Sequence, residues 1–121
     1  MLTLTLYKIL STIGIPAILA GFVARSIKQK AYRHRFNERL GAGTNVKPGG
    51  IVIHGASVGE VLALIPFIEE VLRRFGDQPI TITTFTPTGS EQVTRYFKDR
   101  VSHCYLPIDS PLPVANFLSR L

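Results

Sequence analysis

Two short segments of the chain hold residues of the right types and spacing for chemistry: His54-Gly55-Ala56-Ser57-Val58-Gly59-Glu60 and Thr84-Phe85-Thr86-Pro87-Thr88-Gly89-Ser90-Glu91. Each puts small residues and hydroxyls where a helix begins, which leaves backbone N–H groups free to meet an anion or a polar sugar. The candidate ligand contacts are therefore Ser57, Gly59, Thr86, Thr88, Gly89 and Ser90. Both segments also have a purely structural explanation. Ser57-x-x-Glu60 and Thr88-x-x-Glu91 match the capping box, in which the hydroxyl accepts from the third helical N–H and the glutamate reaches back to the cap. Glu60 differs from Glu91 in its neighbours Gly55 and Gly59, which let the backbone approach a ligand closely on either side. For Glu60 the capping and ligand-facing readings both stand; for Glu91 the cap suffices.

Gly55-Ala56-Ser57-Val58-Gly59 is also a literal G-x-S-x-G between a strand and a helix, the nucleophile elbow of α/β-hydrolases with Ser57 as nucleophile. The surroundings argue against it. Such a serine follows several strands that build the sheet and the oxyanion hole, whereas everything before Ile51 reads as apolar helix, basic stretch or linker. An acid and then a histidine must come later in the chain, and the one histidine after Ser57, His103, falls in an expected strand. His54 and His103 read as satisfied structural residues. No Cys/His/Asp cluster has metal-ligand spacing, so neither a metal nor a cofactor is expected. The lone cysteine, Cys104, sits in an apolar stretch and is expected to be a buried thiol.

The elements that must position these segments follow from periodicity. Ile51 to His54 is a short β-branched run. After it Val58, Val61, Leu62, Ile65, Ile68, Leu72 and Phe75 recur at three and four, a helix whose Pro66 is expected to bend it. Ile80 to Thr84 is a second strand, Pro87 to Phe97 a second helix and Ser102 to Leu106 a third strand. Asp109-Ser110-Pro111 then offers a helix start with proline just inside it. Alternating strands and helices with short connections predict an α/β fold, a Rossmann-like parallel sheet with helices on both faces. Three strands make a small sheet with unprotected edges, so the chain reads as part of a larger protein.

Ahead of the sheet, Gly41 to Gly50 contains four glycines and Pro48 and marks a linker. The charge is uneven. Of a net +6, the stretch from Arg25 to Leu40 supplies +5, through Arg25, Lys28, Lys30, Arg33, Arg35 and Arg39 against Glu38. It directly succeeds an apolar segment in which Lys8 is the one charge between Leu2 and Ala24. As a helix rising about 1.5 Å per residue that segment could reach across a hydrocarbon core of about 30 Å, while Gly14, Pro16 and Gly21 leave an interfacial arrangement open. A basic block after an apolar run suits anionic lipid headgroups and, by the positive-inside rule, keeps the downstream domain in the cytoplasm. A cleaved signal peptide is the poorer reading, because the charge lies behind the apolar run instead of ahead of it. No nucleic-acid motif accompanies the basic block, and no nucleic-acid partner is expected. The organisation predicted is a membrane anchor at 1–24, a basic juxtamembrane segment and linker at 25–50, and an incomplete Rossmann-like domain at 51–121.

At these residues the sequence resembles the bacterial 3-deoxy-D-manno-octulosonic acid (Kdo) transferases. The likeness runs from Ala31-Tyr32-Arg33-His34-Arg35-Phe36-Asn37-Glu38-Arg39-Leu40-Gly41, through Ile53-His54-Gly55-Ala56-Ser57-Val58-Gly59-Glu60, to Thr86-Pro87-Thr88-Gly89-Ser90-Glu91 and Val101-Ser102-His103-Cys104-Tyr105-Leu106-Pro107. The S-V-G-E and T-P-T-G-S-E blocks in this order and spacing are far more specific than either alone. The resemblance implies a glycosyltransferase of the GT-B architecture at the cytoplasmic face of the inner membrane, moving Kdo from CMP-Kdo to a lipid A precursor in lipopolysaccharide assembly. It implies that this chain is the N-terminal, acceptor-side half and that the C-terminal donor domain lies outside it, so the chain alone is expected to be inactive. By the family's pattern the glutamate of S-V-G-E, here Glu60, is the general base. A non-catalytic, membrane-tethered binding domain is the alternative from another class.

Overall fold

The computed structural model describes residues 1–43 and 46–121, so the Thr44-Asn45 part of the expected linker lies outside the described residues. The chain forms two compact units: Met1–Gly43 with Pro107–Ser119, and Thr44–Leu106 with Arg120–Leu121.

The second unit holds the sheet. Strands β1 (Ile51–His54), β2 (Ile80–Thr84) and β3 (Ser102–Tyr105) run parallel in the order β1-β2-β3. The register sets Ile51 beside Ile80 and Ile53 beside Ile82, and alternation along each strand carries those four side chains to one face. Helices α2 (Val58–Phe75) and α3 (Pro87–Phe97) both cover that face, where Ile53, Ile80 and Ile82 share a core with Val61, Ile68 and Val71 of α2 and Val93 and Phe97 of α3. α2 and α3 thus lie together on one face of the sheet. Each crossover advances one strand in the same direction, and crossovers of one hand then leave their helices on the same side.

Local signals fix the helix ends. Ser57 caps α2, which continues through Pro66 as one element. Thr86 caps α3, with Pro87 at the first helical position, so the capping box expected at Thr88 and Glu91 does not form. Proline is favoured at the first helical position, and that sets the start two residues ahead of Thr88. A 3₁₀ turn at Lys98–Arg100 leads on to β3, and Arg100 pairs with Glu69 of α2 at 2.7 Å. Cys104 is fully buried.

In the first unit, α1 (Leu2–Lys28) runs beyond the anchor boundary expected at residue 24. The basic stretch after it is not one helix. Gln29 is extended, and two 3₁₀ turns come next at Lys30–Arg33 and Phe36–Leu40, with Arg35 in a left-handed conformation between them. Tyr32 and Phe36 return to the buried Phe22 of α1, at ring separations of 6.3 and 6.5 Å. Two of the six basic residues are thereby committed to the protein: Arg39 is buried with its guanidinium 5.0 Å over the Phe22 ring, and Arg35 pairs with Glu38 at 2.7 Å. Gly41, at φ 74°, ends this stretch where a Cβ would collide with the Pro113 carbonyl of α4 (Pro111–Leu118). That close approach is why α4 groups with the N-terminal unit.

Candidate functional site

β1 and β2 are parallel, so the chain leaves both at the same edge of the sheet, the edge where open parallel sheets bind ligands. One peptide joins the two departing loops. The Ala56 carbonyl accepts from the Phe85 N–H at 2.9 Å and from the Thr86 N–H at 3.2 Å, and the Gly55 N–H donates to the Thr83 carbonyl at 3.0 Å. Gly89 closes the junction from the α3 side: a Cβ there would stand 3.1 Å from Thr86 Oγ1 and 3.4 Å from the Ser57 carbonyl carbon.

Glu60 is held at this junction. Its Oε2 accepts from the Ala56 N–H at 2.6 Å, while the Ser57 hydroxyl accepts from the Glu60 N–H at 3.5 Å. The capping box therefore forms in modified shape, with the carboxylate reaching Ala56, one residue ahead of the cap. The short bond is charge-assisted and sets the orientation of the carboxylate. Among the described residues the other oxygen, Oε1, receives no hydrogen bond, and Glu60 is exposed. Gly59 beside it is exposed too, with nothing within 4 Å of a Cβ built on it.

The other predicted contacts divide by depth. Ser57 and Thr86 are half-buried caps at the junction, and Thr88 is exposed, its hydroxyl 3.4 Å from that of Thr86. Gly89 and Ser90 are buried. Ser90 Oγ lies 3.4 Å from His103 Nδ1, whose Nε2 is 2.9 Å from Thr84 Oγ1, so these groups join α3, β2 and β3 beneath the loop. His54 similarly meets Thr83 Oγ1 at 3.0 Å. Sequence reasoning missed Ala56 because its part is played by backbone atoms, which no residue type signals. It missed Thr83 and Thr84 because hydroxyls inside a strand read only as β-formers.

The hydrolase alternative is overturned by this geometry. Ser57 has an ordinary extended backbone, φ −121° and ψ 169°, where an elbow needs a strained turn, and the strand histidines bond to Thr83, Thr84 and Ser90.

Gly59, Glu60 and Thr88 are exposed at the junction. A hollow of about 220 Å³ in the same unit is lined by Asp77, Pro79, Asp99 and Ser102, at the opposite, amino-terminal edge of the sheet. The ion pairs of α2 also lie toward its far end. Hydrogen bonds from Arg73 and then Arg74 hold Glu70 down at about 2, and a hydrogen bond from Arg100 lowers Glu69.

An exposed, oriented carboxylate at the carboxyl edge of a parallel α/β sheet has the chemistry to accept a proton from a polar group brought to that edge. The sequence profile of the 3-deoxy-D-manno-octulosonic-acid transferase (kdotransferase) family matches residues 34–121, and the chain belongs to that family. It is 43% identical over 116 residues to a 3-deoxy-D-manno-octulosonic acid transferase of Haemophilus influenzae, covering 93% of this chain and 27% of that protein. It is 31% identical over 115 residues to a probable mitochondrial 3-deoxy-D-manno-octulosonic acid transferase of Arabidopsis thaliana, covering 93% of this chain and 26% of that protein. The chain thus spans about a quarter of the length of these relatives. No solved structure matches it.

Proposed function

We propose that this chain is the acceptor-side part of a GT-B glycosyltransferase that moves Kdo from CMP-Kdo to a lipid A precursor at the cytoplasmic face of the inner membrane, with Glu60 as general base. The observation that carries this reading is the exposed Glu60 side chain, whose Oε2 is held by the Ala56 N–H while its Oε1 receives no hydrogen bond among the described residues. In the reaction an acceptor hydroxyl oxygen bonds to the anomeric carbon of Kdo, the bond from that carbon to the CMP phosphate breaks, and CMP leaves with the electron pair. The hydroxyl proton passes to Glu60. One base and one displacement invert the anomeric centre. Ser57, Gly59, Thr86 and Thr88, which belong to the two joined loops and the helix starts after them, are assigned to the acceptor, with Gly89 and Ser90 supporting the second loop. The donor is assigned to sequence that the relatives carry beyond the matched quarter.

Membrane association rests on α1, which is long and apolar enough to cross a bilayer, and on the exposed Arg25, Lys28, Lys30 and Arg33 beyond its apolar part, which suit anionic lipids. The test is Glu60→Gln in the full-length enzyme, read by transfer of labelled Kdo to the acceptor. Turnover falls by about 10²-fold or more if a general base has been removed. Near-normal turnover would return Glu60 to a capping role.

A further inference from the structure

α1 packs against its own unit near both ends. Near the start the Tyr7 hydroxyl donates to the carboxylate of Asp109, just ahead of α4, and α4 touches the helix. Near the end Phe22 is covered by Tyr32 and Phe36. The contacts use one side, on which Ser11, Gly14, Ile15, Leu19, Phe22 and Ser26 are the residues withdrawn from solvent. The opposite side is an uninterrupted apolar stripe. Leu2, Leu6, Ile9, Ile13, Ala20 and Ile27 share it by three- and four-residue spacing, and all are exposed, Leu2 at 87%, Ile13 at 69% and Ile27 at 71%.

A crossing does not fit these contacts. Among the described residues α1 is the one helix able to span a bilayer, so a span would put Tyr7 and Asp109 on opposite sides of the membrane. Tyr7 stands 21 residues before Lys28, about 30 Å along a helix, which is the full thickness of a hydrocarbon core. Their hydrogen bond closes only with both on one side.

We propose that α1 lies in the plane of the cytoplasmic leaflet, its exposed stripe among the acyl chains and its other side held to the protein, with Arg25, Lys28, Lys30 and Arg33 on anionic headgroups. The occupant of the stripe is thus a lipid surface. Helices of this kind bury their apolar face to a depth of about 5–10 Å, and basic residues at one end add electrostatic attraction. The inference rests on the membrane location proposed above and adds how the helix sits there.

The test is cysteine labelling of the full-length protein in sealed inside-out vesicles from a Gram-negative host, with a membrane-impermeant maleimide and the parent protein as background. Lys8→Cys and, as a second site, Thr5→Cys are compared with Asp77→Cys, an exposed position in the sheet unit. The in-plane helix predicts that position 8 or position 5 reacts from the same face as position 77, with no gain on adding detergent. Labelling of positions 5 and 8 only after detergent, while position 77 reacts before it, would overturn the proposal and leave the membrane location standing. Protein that fails to float with the vesicles would overturn both.

Discussion

Gly59→Ala separates the structural and functional demands on the first turn of α2, because the two move in opposite directions. Gly59 is the second residue of the helix and is exposed, its φ is not positive, and a Cβ there meets nothing within 4 Å. The methyl group therefore fits without strain. Alanine also removes conformational freedom from the unfolded chain, so the substitution should stabilise the protein by about 0.5–1 kcal/mol. If an acceptor sugar approaches the backbone beside Glu60, the same methyl stands in its way. A misfit of that size costs about 1–3 kcal/mol, and about 1.4 kcal/mol is a tenfold rise in the KM for acceptor. Urea unfolding and initial-rate kinetics on the full-length enzyme measure the two quantities. Gly89→Ala is the control, since its Cβ would press on the Thr86 cap oxygen at 3.1 Å and stability should fall. A Gly59→Ala enzyme with unchanged KM would show that no ligand comes close to this turn. One that is destabilised would refute the description of the turn itself.

Two further outcomes are expected. Ser57→Ala should cost toward the lower end of the usual 0.5–2 kcal/mol for a lost cap, because its bond to the Glu60 N–H is long, and transfer should survive because the Glu60–Ala56 bond does not need the hydroxyl; loss of transfer in a stable variant would make the hydroxyl a direct participant. Glu69, lowered by Arg100, contributes stability above its unfolded value of 4.5, and this is lost as pH falls through the lower folded value; Arg100→Gln should remove that acid-dependent part from urea midpoints measured down through the carboxylate range, and an unchanged profile would refute the pairing.

The strands and the two sheet helices were legible because each depends on local chemistry. Ile51–His54 and Ile80–Thr84 are β-branched runs bounded by turn residues, and Pro87 marks the first position of α3 as it does in many helices. The features that failed to read were tertiary. The path of the basic stretch is one such feature: Tyr32 and Phe36 find Phe22 by folding back, a long-range gain that local propensity does not contain. At the site, the residue types of Glu60, Ser57 and Thr86 were visible, while the Ala56 peptide that binds them together was not.

Capping and catalysis look like rival uses of the Glu60 carboxylate, but one oxygen, Oε2, meets the Ala56 N–H by itself, so the proposed base role can fall to the other. Oε2 is occupied by the Ala56 N–H, and the Ala56 carbonyl in the next peptide accepts from Phe85 and Thr86, so the residue that holds the carboxylate is itself tied to both loops. In the proposed reaction Oε1 is the oxygen that takes the proton. This makes Glu60→Gln a sharper test than loss of a cap. The amide oxygen of glutamine can still accept from Ala56, exchanging a charge-assisted bond for a neutral one at a cost of about 1 kcal/mol. The amide nitrogen then stands where Oε1 stood, a donor facing a hydroxyl that needs an acceptor. Fold and acceptor affinity should therefore stay close to normal while turnover collapses, and kcat should carry the loss. A Glu60→Gln enzyme whose defect lay wholly in KM, with kcat intact, would mean that the carboxylate binds the acceptor without taking its proton.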